Sequence, residues 1–382
     1  MTPPSQQRAA PRSQGLELKA GDRVAVTGAA GFIGSAVVRR LLDRDADVVA
    51  LAEPAGDRQN LRGLPVEVKP ADVRDRVAVR RALDGARFVF HAAALYGFWA
   101  KDPSTFYEVN VDGTRNVLDA AVACGAERIV YTGTVGTLRL DGASAAAPAT
   151  EDSGADIAHL FGHYKRSKYV AEHEVLRAAA EGVPVTLTLP TFPLGPRDRR
   201  PTPTGKVVVD YLNGRLPGYV ETAMNVAHVD DLAAGHLLAL ERGSIGRSYI
   251  LGGENLTMHQ FLDLLASVTG LPSVVRRFPR LAALAAGAAS EAVEGRLLRR
   301  HPRVPLEAAR MSTTAMVFDD SRARKELGYS SRPPVEAVRD SVRWFVDHGY
   351  VKHSRFEALT LDRPGGGTPR PRLDGEAPSR RR

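Results

Sequence analysis

The sequence of 382 residues is short of cysteine and of long apolar runs. A single cysteine, Cys124, excludes an internal disulfide and is typical of a reducing compartment, so we expect a cytoplasmic protein. No apolar run approaches the ~20 residues that a membrane-spanning helix needs. Residues 1–14 contain Pro, Gln and Ser without an apolar segment, which predicts that they are not a secretory signal. The remaining composition, 43% hydrophobic and 25% charged residues, is that of a globular protein with a large core.

The net charge of +8 is concentrated at the two ends of the chain. Residues 363–382 contain six arginines, one Asp and one Glu, and residues 1–14 contain two arginines, so these ends together carry +6. Segments that also contain this much Pro and Gly bury too little apolar surface to fold. We therefore expect disordered tails over residues 1–18 and 351–382 and no specific nucleic-acid interface, with weak contact to anionic lipid or RNA left open.

The stretch VAVTGAAGFIG indicates a dinucleotide site. Val24–Val26 predicts a short buried strand, and Gly28, Gly31 and Gly34 turn the chain into a helix that starts near Phe32. In this spacing the first glycine permits a tight turn and the second lets backbone N–H groups approach a pyrophosphate. The third glycine lets the helix pack close to the strand, and the positive end of the helix dipole faces the anion.

Apolar strands alternate with amphipathic helices from Gly21 onward, which predicts parallel β-α-β units. The predicted fold class is α/β, a Rossmann-type doubly wound parallel sheet over residues 19–190 with returns near residues 224–254. Residues 191–350 are expected to form a smaller mixed α/β lobe that binds the substrate, interleaved with the sheet. The prolines of residues 191–205 predict an irregular loop.

Two other segments carry less specific signals. Residues 281–295 are Ala-rich and predict a packed helix, with at most peripheral membrane contact as the alternative. His228, Asp230 and Asp231 do not have the spacing of a metal cluster, and Asp231 can cap the following helix. We expect no metal site.

Tyr164 and Lys168 are the candidate catalytic pair. At positions i and i+4 of one predicted helix they share a face. A phenol with a pKa near ~10 is a poor acid or base at neutral pH, but a nearby ammonium lowers that pKa. Thr134, in YTGTVGT, supplies a hydroxyl that can orient a substrate oxygen. Such a pair can also be an ordinary surface contact; its place after a glycine-rich dinucleotide loop favours the catalytic interpretation.

The order of TGAAGFIG, Asp72-Val73, HAAA, Asn110, YTGTVGT and YKRSK resembles the extended short-chain dehydrogenase/reductase (NAD-dependent epimerase/dehydratase) superfamily, from about Gly21 to Tyr350. The segments HVDDLAAGHLLALE, YILGGENLT and FDDSRARKELGY resemble the hopanoid-associated sugar epimerase group, which is similar to dihydroflavonol 4-reductases.

This resemblance implies roles for individual residues. It makes Tyr164 the acid/base, Lys168 the group that lowers its pKa and Thr134 the counterpart of the family's serine, while Asn110 stabilises the active-site helix. The implied cofactor-binding residues, with the glycine-rich loop, are Gly28, Gly31, Phe32, Ile33, Gly34, Glu53, Arg58, Asp72, Val73, Ala92, Ala93, Ala94, Tyr164, Lys168, Pro190 and Thr191. The implied substrate contacts are Tyr96, Thr134, Thr191 and Phe192. Members of the family form homodimers through the helices that correspond to those of Asn110 and Tyr164, so the resemblance implies a homodimer.

Two departures from the family bear on the ligands. The stretch TLPTFPLGP after the sixth strand lacks the asparagine that helps nucleotide-sugar epimerases hold a diphosphate, which disfavours a UDP-sugar. Glu53 occupies the position at which dihydroflavonol reductases have an arginine for the 2′-phosphate of NADP. A carboxylate there accepts from a ribose 2′-hydroxyl and favours NAD, although Arg58 leaves NADP open.

The sequence therefore predicts an NAD(P)-dependent oxidoreductase or epimerase that acts on a carbinol or ketone of a small-molecule substrate. By resemblance the substrate is sugar-like or linked to an isoprenoid lipid. Two alternatives are a ketone reductase similar to dihydroflavonol 4-reductase or 3β-hydroxysteroid dehydrogenase, and a non-catalytic protein that senses NAD(P). The intact pair of Tyr164 and Lys168 counts against the sensor.

Overall fold

The alternation predicted from Gly21 onward forms a parallel sheet in the computed structural model, which describes residues 16–140, 142–154, 156–298 and 300–352, and residues 355 and 359. The elements of the first half are β1 (Arg23–Thr27), α1 (Phe32–Leu42), β2 (Asp47–Ala52), β3 (Glu67–Pro70), α2 (Arg76–Leu83), β4 (Phe88–His91), α3 (Ser104–Tyr107), α4 (Gly113–Ala123), β5 (Arg128–Thr132), α5 (His163–Ala180) and β6 (Val185–Pro190). A π-helical turn, Glu108–Asp112, joins α3 to α4.

The second half mixes strands and helices. Its elements are β7 (Phe192–Leu194), α6 (Pro203–Leu212), β8 (Ala223–His228), α7 (Val229–Arg242), β9 (Ser248–Leu251), β10 (Glu254–Thr257), α8 (Met258–Thr269), α9 (Arg280–Ser290), α10 (Leu306–Met311), α11 (Ser321–Leu327) and α12 (Pro334–Asp347). A further π-helical turn, Glu291–Leu297, follows α9.

The main sheet has seven strands in the order β3-β2-β1-β4-β5-β6-β9, and every neighbouring pair is parallel. Helices cover both of its faces because successive residues of each strand enter different cores. Val24 and Val26 of β1 pack in a first core, beneath α1 and α7. Ala25 packs in a second core, beneath α2, α4 and α5. This is the predicted Rossmann-type doubly wound architecture, and the carboxyl ends of its strands meet at one edge.

The smaller lobe is built on a second sheet of three strands, ordered β10-β8-β7. β8 is antiparallel to β10 and parallel to β7. A third core joins this sheet to α6, α8 and α12, with Phe261 and Phe345 fully buried. The lobes are interleaved along the chain, since β9 joins the main sheet between β8 and β10.

The stretch 191–205 is more regular than predicted. It contains β7 and the start of α6, although both include proline. Pro193 is tolerated because β7 is an edge strand, where a missing N–H breaks no ladder. Pro203 opens α6, where its fixed φ suits the first helical position.

β4 ends at His91, and the alanines that follow it form a loop. Leu18, placed in the N-terminal tail, is buried in the first core, whereas residues 1–15 lie outside the described residues. Most of the predicted C-terminal tail also lies outside them; of its described members, Val351 and Leu359 pack against the third core.

Within the part of the chain that the structure describes, no helix combines the length and the apolar composition needed to cross a membrane.

Candidate active site

The glycine-rich loop forms a backbone cradle between β1 and α1. Gly28 has φ +64°, and a Cβ there would lie 2.7 Å from the Cα of Ala93. A Cβ on Gly34 would overlap the carbonyl oxygen of Gly28. Gly31 precedes α1 without a side-chain cap, so the first N–H groups of the helix are left for a ligand. These features fit a pyrophosphate held by backbone groups.

A cleft of about 400 Å³ opens at this cradle. The predicted cofactor residues that line it are Gly28, Gly31, Phe32, Glu53, Asp72, Val73, Ala92, Ala93 and Ala94. They come from the carboxyl ends of β1, β2, β3 and β4, the edge at which open α/β sheets bind ligands. The position and lining of the cleft therefore fit the adenosine and pyrophosphate of a dinucleotide.

The remaining predicted cofactor residues do not line this cleft: Ile33, Gly34, Arg58, Tyr164, Lys168, Pro190 and Thr191. Gly34 lies beneath the loop, and Ile33 packs against the first core. Arg58 donates to the carbonyl oxygen of Pro54 at 2.9 Å and points along its own loop. Its expected reach toward a phosphate is not seen.

Three arginines of the smaller lobe line the cleft instead: Arg197, Arg199 and Arg200. Arg199 pairs with Asp57 at 2.8 Å, and Asn60 donates to the carbonyl oxygens of Ala30 and Arg197. These contacts bring the loop 197–202 over the glycine-rich loop. The run RDRR was visible in the sequence, but nothing there placed it at the cofactor.

Tyr164 lies on the first turn of α5 beside Thr134, which follows β5. Burial raises the pKa of Tyr164, and a hydrogen bond from the Thr134 hydroxyl lowers that pKa in opposition. Thr134 Oγ1 is held in place because it accepts from the backbone N–H of Gly136 at 3.1 Å. The predicted pair of hydroxyls is therefore assembled.

Lys168 shares the α5 face with Tyr164 but points to β5. Its Nζ donates to the carbonyl oxygen of Thr132 at 2.8 Å and lies 4.4 Å from the centre of the Tyr131 ring. Burial lowers the pKa of Lys168 to about 7, against the opposing charge of Glu172. Around Tyr164, burial and the negative charge of Glu307 raise the pKa of the phenol, and Thr134 lowers it in part.

Asn110 links the cofactor cleft to the catalytic helix. In the π-helical turn, its side chain accepts from the N–H of Leu95 at 2.8 Å and donates to Ser167 Oγ on α5 at 2.9 Å. Leu95 lines the cleft, and the ring of Tyr96 lies 4.8 Å from that of Tyr164. The loop after β4 therefore spans the space between the cleft and α5, and it places the ring of Tyr96 beside the ring of Tyr164.

The two remaining predicted contacts follow β6. Thr191 is buried, and its hydroxyl has no partner among the described residues, so it can serve a ligand. Phe192 packs against the third core, with its ring centre 6.1 Å from that of Phe261. Phe192 lines neither the cleft nor a second, smaller cavity around Gly136, Lys165 and Glu307.

A second cavity, of about 330 Å³, is lined by chain neighbours of Thr134 and Tyr164 but by neither of these two residues. It is lined by Gly136, from the turn that follows Thr134, by Lys165, which follows Tyr164 on α5, and by Glu307 of α10. Its wall is apolar over the side chains of Leu138, Leu140, Leu160, Phe161, Leu284 and Met311. The cavity therefore combines an apolar wall with the charged side chains of Lys165 and Glu307.

Glu307 is the main site residue that sequence reasoning missed. It is 5% exposed, and its Oε1 has no hydrogen-bond partner among the described residues. Its carboxylate packs on Gly162, where a Cβ would overlap it and where φ is +86°. Burial raises the pKa of Glu307 to about 8, opposed by Lys165. No local motif marks this residue.

The acidic residues near His228 have structural roles. His228 caps α7 by accepting from the N–H of Asp230, a role predicted for Asp231. Asp231 instead pairs with Arg332 at 2.8 Å. Across the described ranges, no group of three or more His, Cys, Asp or Glu side chains is arranged to hold a metal ion.

This fold and this site define a nicotinamide-dinucleotide-dependent enzyme of the extended short-chain dehydrogenase/reductase type. The model of the NAD-dependent epimerase/dehydratase family matches residues 24–252, and the chain belongs to that family.

Curated relatives carry the names of several oxidoreductases. A protein of Synechocystis, provisionally named dihydroflavonol 4-reductase, is 39% identical over 86% of this chain and 95% of its own. Sterol demethylase protein B of Methylococcus capsulatus is 32% identical over 85% and 99%. The 2-alkyl-3-oxoalkanoate reductase of Shewanella oneidensis is 29% identical over 81% and 83%.

Solved structures share the fold over most of the chain. The crystal structure of gox2253 is 41% identical, with a TM-score of 0.77 over 87% of this chain and all of its own. UDP-glucose 4-epimerase of Thermus thermophilus, crystallised with NAD, is 25% identical, with a TM-score of 0.66 over 86% and 100%. The cofactor of this family is NAD(P).

Proposed function

We propose that the chain is an NAD(P)-dependent oxidoreductase that interconverts a secondary alcohol and a ketone on an amphipathic substrate. The observation that carries the proposal is the placement of Tyr164, on the first turn of α5, beside Thr134 and near a cavity with an apolar wall and charged groups.

The residues divide the chemistry between them. With the dinucleotide bound, its nicotinamide would supply or accept a hydride. Tyr164 exchanges a proton with the substrate oxygen, and Thr134 donates a hydrogen bond that stabilises charge on the phenol oxygen. Lys168, buried beneath α5, adds positive charge when it is protonated. Its contact with the Thr132 carbonyl oxygen fixes its ammonium at the end of β5.

The second cavity supports a substrate with a polar head and an apolar body. Lys165 and Glu307 can hydrogen-bond oxygen groups, while the leucines, Phe161 and Met311 suit a hydrocarbon. The names of the relatives include a sterol and an alkyl-oxoalkanoate, both with hydrocarbon bodies. A sugar-like or isoprenoid-lipid-linked substrate, as in a hopanoid-associated sugar epimerase, fits the same division.

Net reduction or dehydrogenation is favoured over epimerisation. Relatives that cover most of the chain are named reductases, and the stretch after β6 lacks the asparagine of nucleotide-sugar epimerases. Epimerisation is the second candidate, supported by the family model and by structural neighbours of that name. The sensor alternative has no use for the Thr134–Tyr164 hydrogen bond.

We also propose that NAD is preferred to NADP and that the enzyme is a homodimer. Glu53 places a carboxylate at the cleft at the end of β2, where it favours a ribose hydroxyl over a phosphate, whereas the Asp57 carboxylate is paired with Arg199. The dimer through α4 and α5 rests on the family resemblance.

The test incubates the enzyme either with NADH and a 2-alkyl-3-oxoalkanoate or with NAD⁺ and UDP-glucose. We expect one NADH to be consumed for each ketone reduced and no change in UDP-glucose. Conversion of UDP-glucose into its 4-epimer without net change in NADH would contradict the reductase and establish the epimerase. Failure with both probes, with cofactor bound, would contradict the proposed substrate class.

A further inference from the structure

The positive charge of this protein is not confined to its tails. Residues 275–304 contain seven arginines and two glutamates, a net charge of +5. Because residues 15–362 together carry only +2, the rest of that range carries −3. We call residues 275–304 the arginine–leucine segment. It is a strongly basic region on a body that is otherwise slightly acidic.

Exposed apolar side chains are concentrated in the same segment. Among the described residues, twelve large hydrophobic side chains are exposed, and six of them lie in these thirty positions. Val275, Leu281 and Leu297 are 77%, 78% and 76% exposed. Single exposed apolar residues are ordinary, but such a concentration marks an interaction surface.

The helix α9 in this segment is apolar and lies on the surface. Its sequence is RLAALAAGAAS, and only Gly287 is fully buried, against Ala309 of α10. The helix predicted here is present and packs on α10 through Gly287, while most of its residues are exposed. An apolar helix flanked by arginines is typical of segments that lie in the interface of a membrane.

We propose that the arginine–leucine segment is a docking surface for an anionic phospholipid bilayer. The leucines and Val275 would enter the acyl boundary, while Arg276, Arg280 and Arg303, all exposed, would meet lipid phosphates. A nucleic acid would engage the arginines but leave the leucines in water. A second copy of the chain would bury the leucines but bring two segments of +5 together.

Because α9 also reaches the second cavity, docking on a bilayer would have a use in substrate transfer. Leu284 of α9 lines the second cavity, three residues after the exposed Leu281. A substrate with a hydrocarbon body could therefore pass between the bilayer and the cavity along one helix. This use rests on the proposed function, whereas the docking itself does not.

The test measures sedimentation of the full chain with vesicles at physiological salt. One set is phosphatidylcholine alone, and the other is phosphatidylcholine and phosphatidylglycerol in equal parts. We expect binding to the anionic set, weakened about tenfold for each leucine replaced in Leu281→Glu/Leu297→Glu. The matched control is Val77→Glu, since Val77 on α2 is 59% exposed and lies outside the segment; it should bind within about twofold of the parent.

Two further variants make the result decisive. Arg280→Glu/Arg303→Glu should abolish the preference for anionic vesicles, and deletion of residues 363–382 should preserve it. All variants should keep the parent's melting temperature and cofactor affinity, so failure would leave the active-site proposal standing. The proposed docking surface would be contradicted if vesicle binding survived both double substitutions or was lost on deletion of residues 363–382. So would a parent that ignores vesicles and instead binds duplex DNA or dimerises through the leucines.

Discussion

Glu307 lines the second cavity with only 5% of its surface exposed. Burial raises the pKa of its carboxyl to about 8, so the folded state holds a proton that the unfolded chain releases near pH 4.5. Folding stability should therefore fall as pH rises from about 4.5 to 8 and stay level above that.

Replacing Glu307 with Gln removes this titration while keeping the shape of the side chain. Relative to the parent, the free energy of unfolding of Glu307→Gln should rise between pH 5 and pH 9 by about 2–4 kcal/mol. Urea unfolding at both pH values measures it. A difference that does not depend on pH would mean that the Glu307 carboxyl ionises normally in the fold.

Glu53 tests the cofactor assignment. It lines the cleft at the end of β2, where a carboxylate accepts from a ribose hydroxyl and repels a phosphate. Glu53→Arg should weaken NAD binding and strengthen NADP binding, each by about tenfold. Fluorescence titration of both cofactors with both proteins measures it. A parent that already prefers NADP would contradict the assignment to Glu53.

Local motifs explain which residues of the site could be predicted. The positions of Gly28 and Gly34 follow from one turn, and those of Tyr164 and Lys168 follow from the helical repeat. Short spacings in the sequence were therefore sufficient to predict these residues. Glu307 could not be found in this way, because a distant helix brings it to Gly162.

At the scale of elements, side-chain direction set the limit of prediction. Arg58 was a candidate for a cofactor phosphate because of its position after β2, but it donates to the carbonyl oxygen of Pro54. The loop 197–202 supplies arginines to the cleft from the other lobe. Similarly, the composition of α9 predicted a helix but not which of its faces is covered. Tertiary contacts decide these questions.

Arg200 and Arg58 form a matched pair for testing that loop. Arg200 is exposed and lines the cleft, whereas Arg58 does not line it. Arg200→Ala should weaken cofactor binding about three- to tenfold by removing a charge that attracts phosphate, and Arg58→Ala should change it by less than about twofold. Calorimetric titration with NAD compares them. The reverse order of effects would return the phosphate contact to Arg58.

At the scale of the whole molecule, the two lobes share elements and contacts. β9 joins the main sheet between two strands of the small sheet, and Asn60 and Asp57 bind the loop 197–202 across the cleft. The lobes should therefore unfold together, although each has its own core.

Differential scanning calorimetry tests this cooperativity. We expect one transition that moves upward as a whole when NAD is added, because ligand at about 100 times its Kd stabilises the native state by about 2.7 kcal/mol. Two transitions, of which NAD moves only one, would show that the lobes unfold independently.

The central claim is that the Tyr164 hydroxyl carries the acid/base chemistry, oriented by Thr134. The direct measurement is turnover and cofactor affinity of Tyr164→Phe, which removes only that hydroxyl. The account predicts that kcat falls by about 10²–10⁴ while the Kd for the cofactor stays within about twofold. A variant that keeps more than about a tenth of the parent's turnover would contradict it, because another group would then be moving the proton.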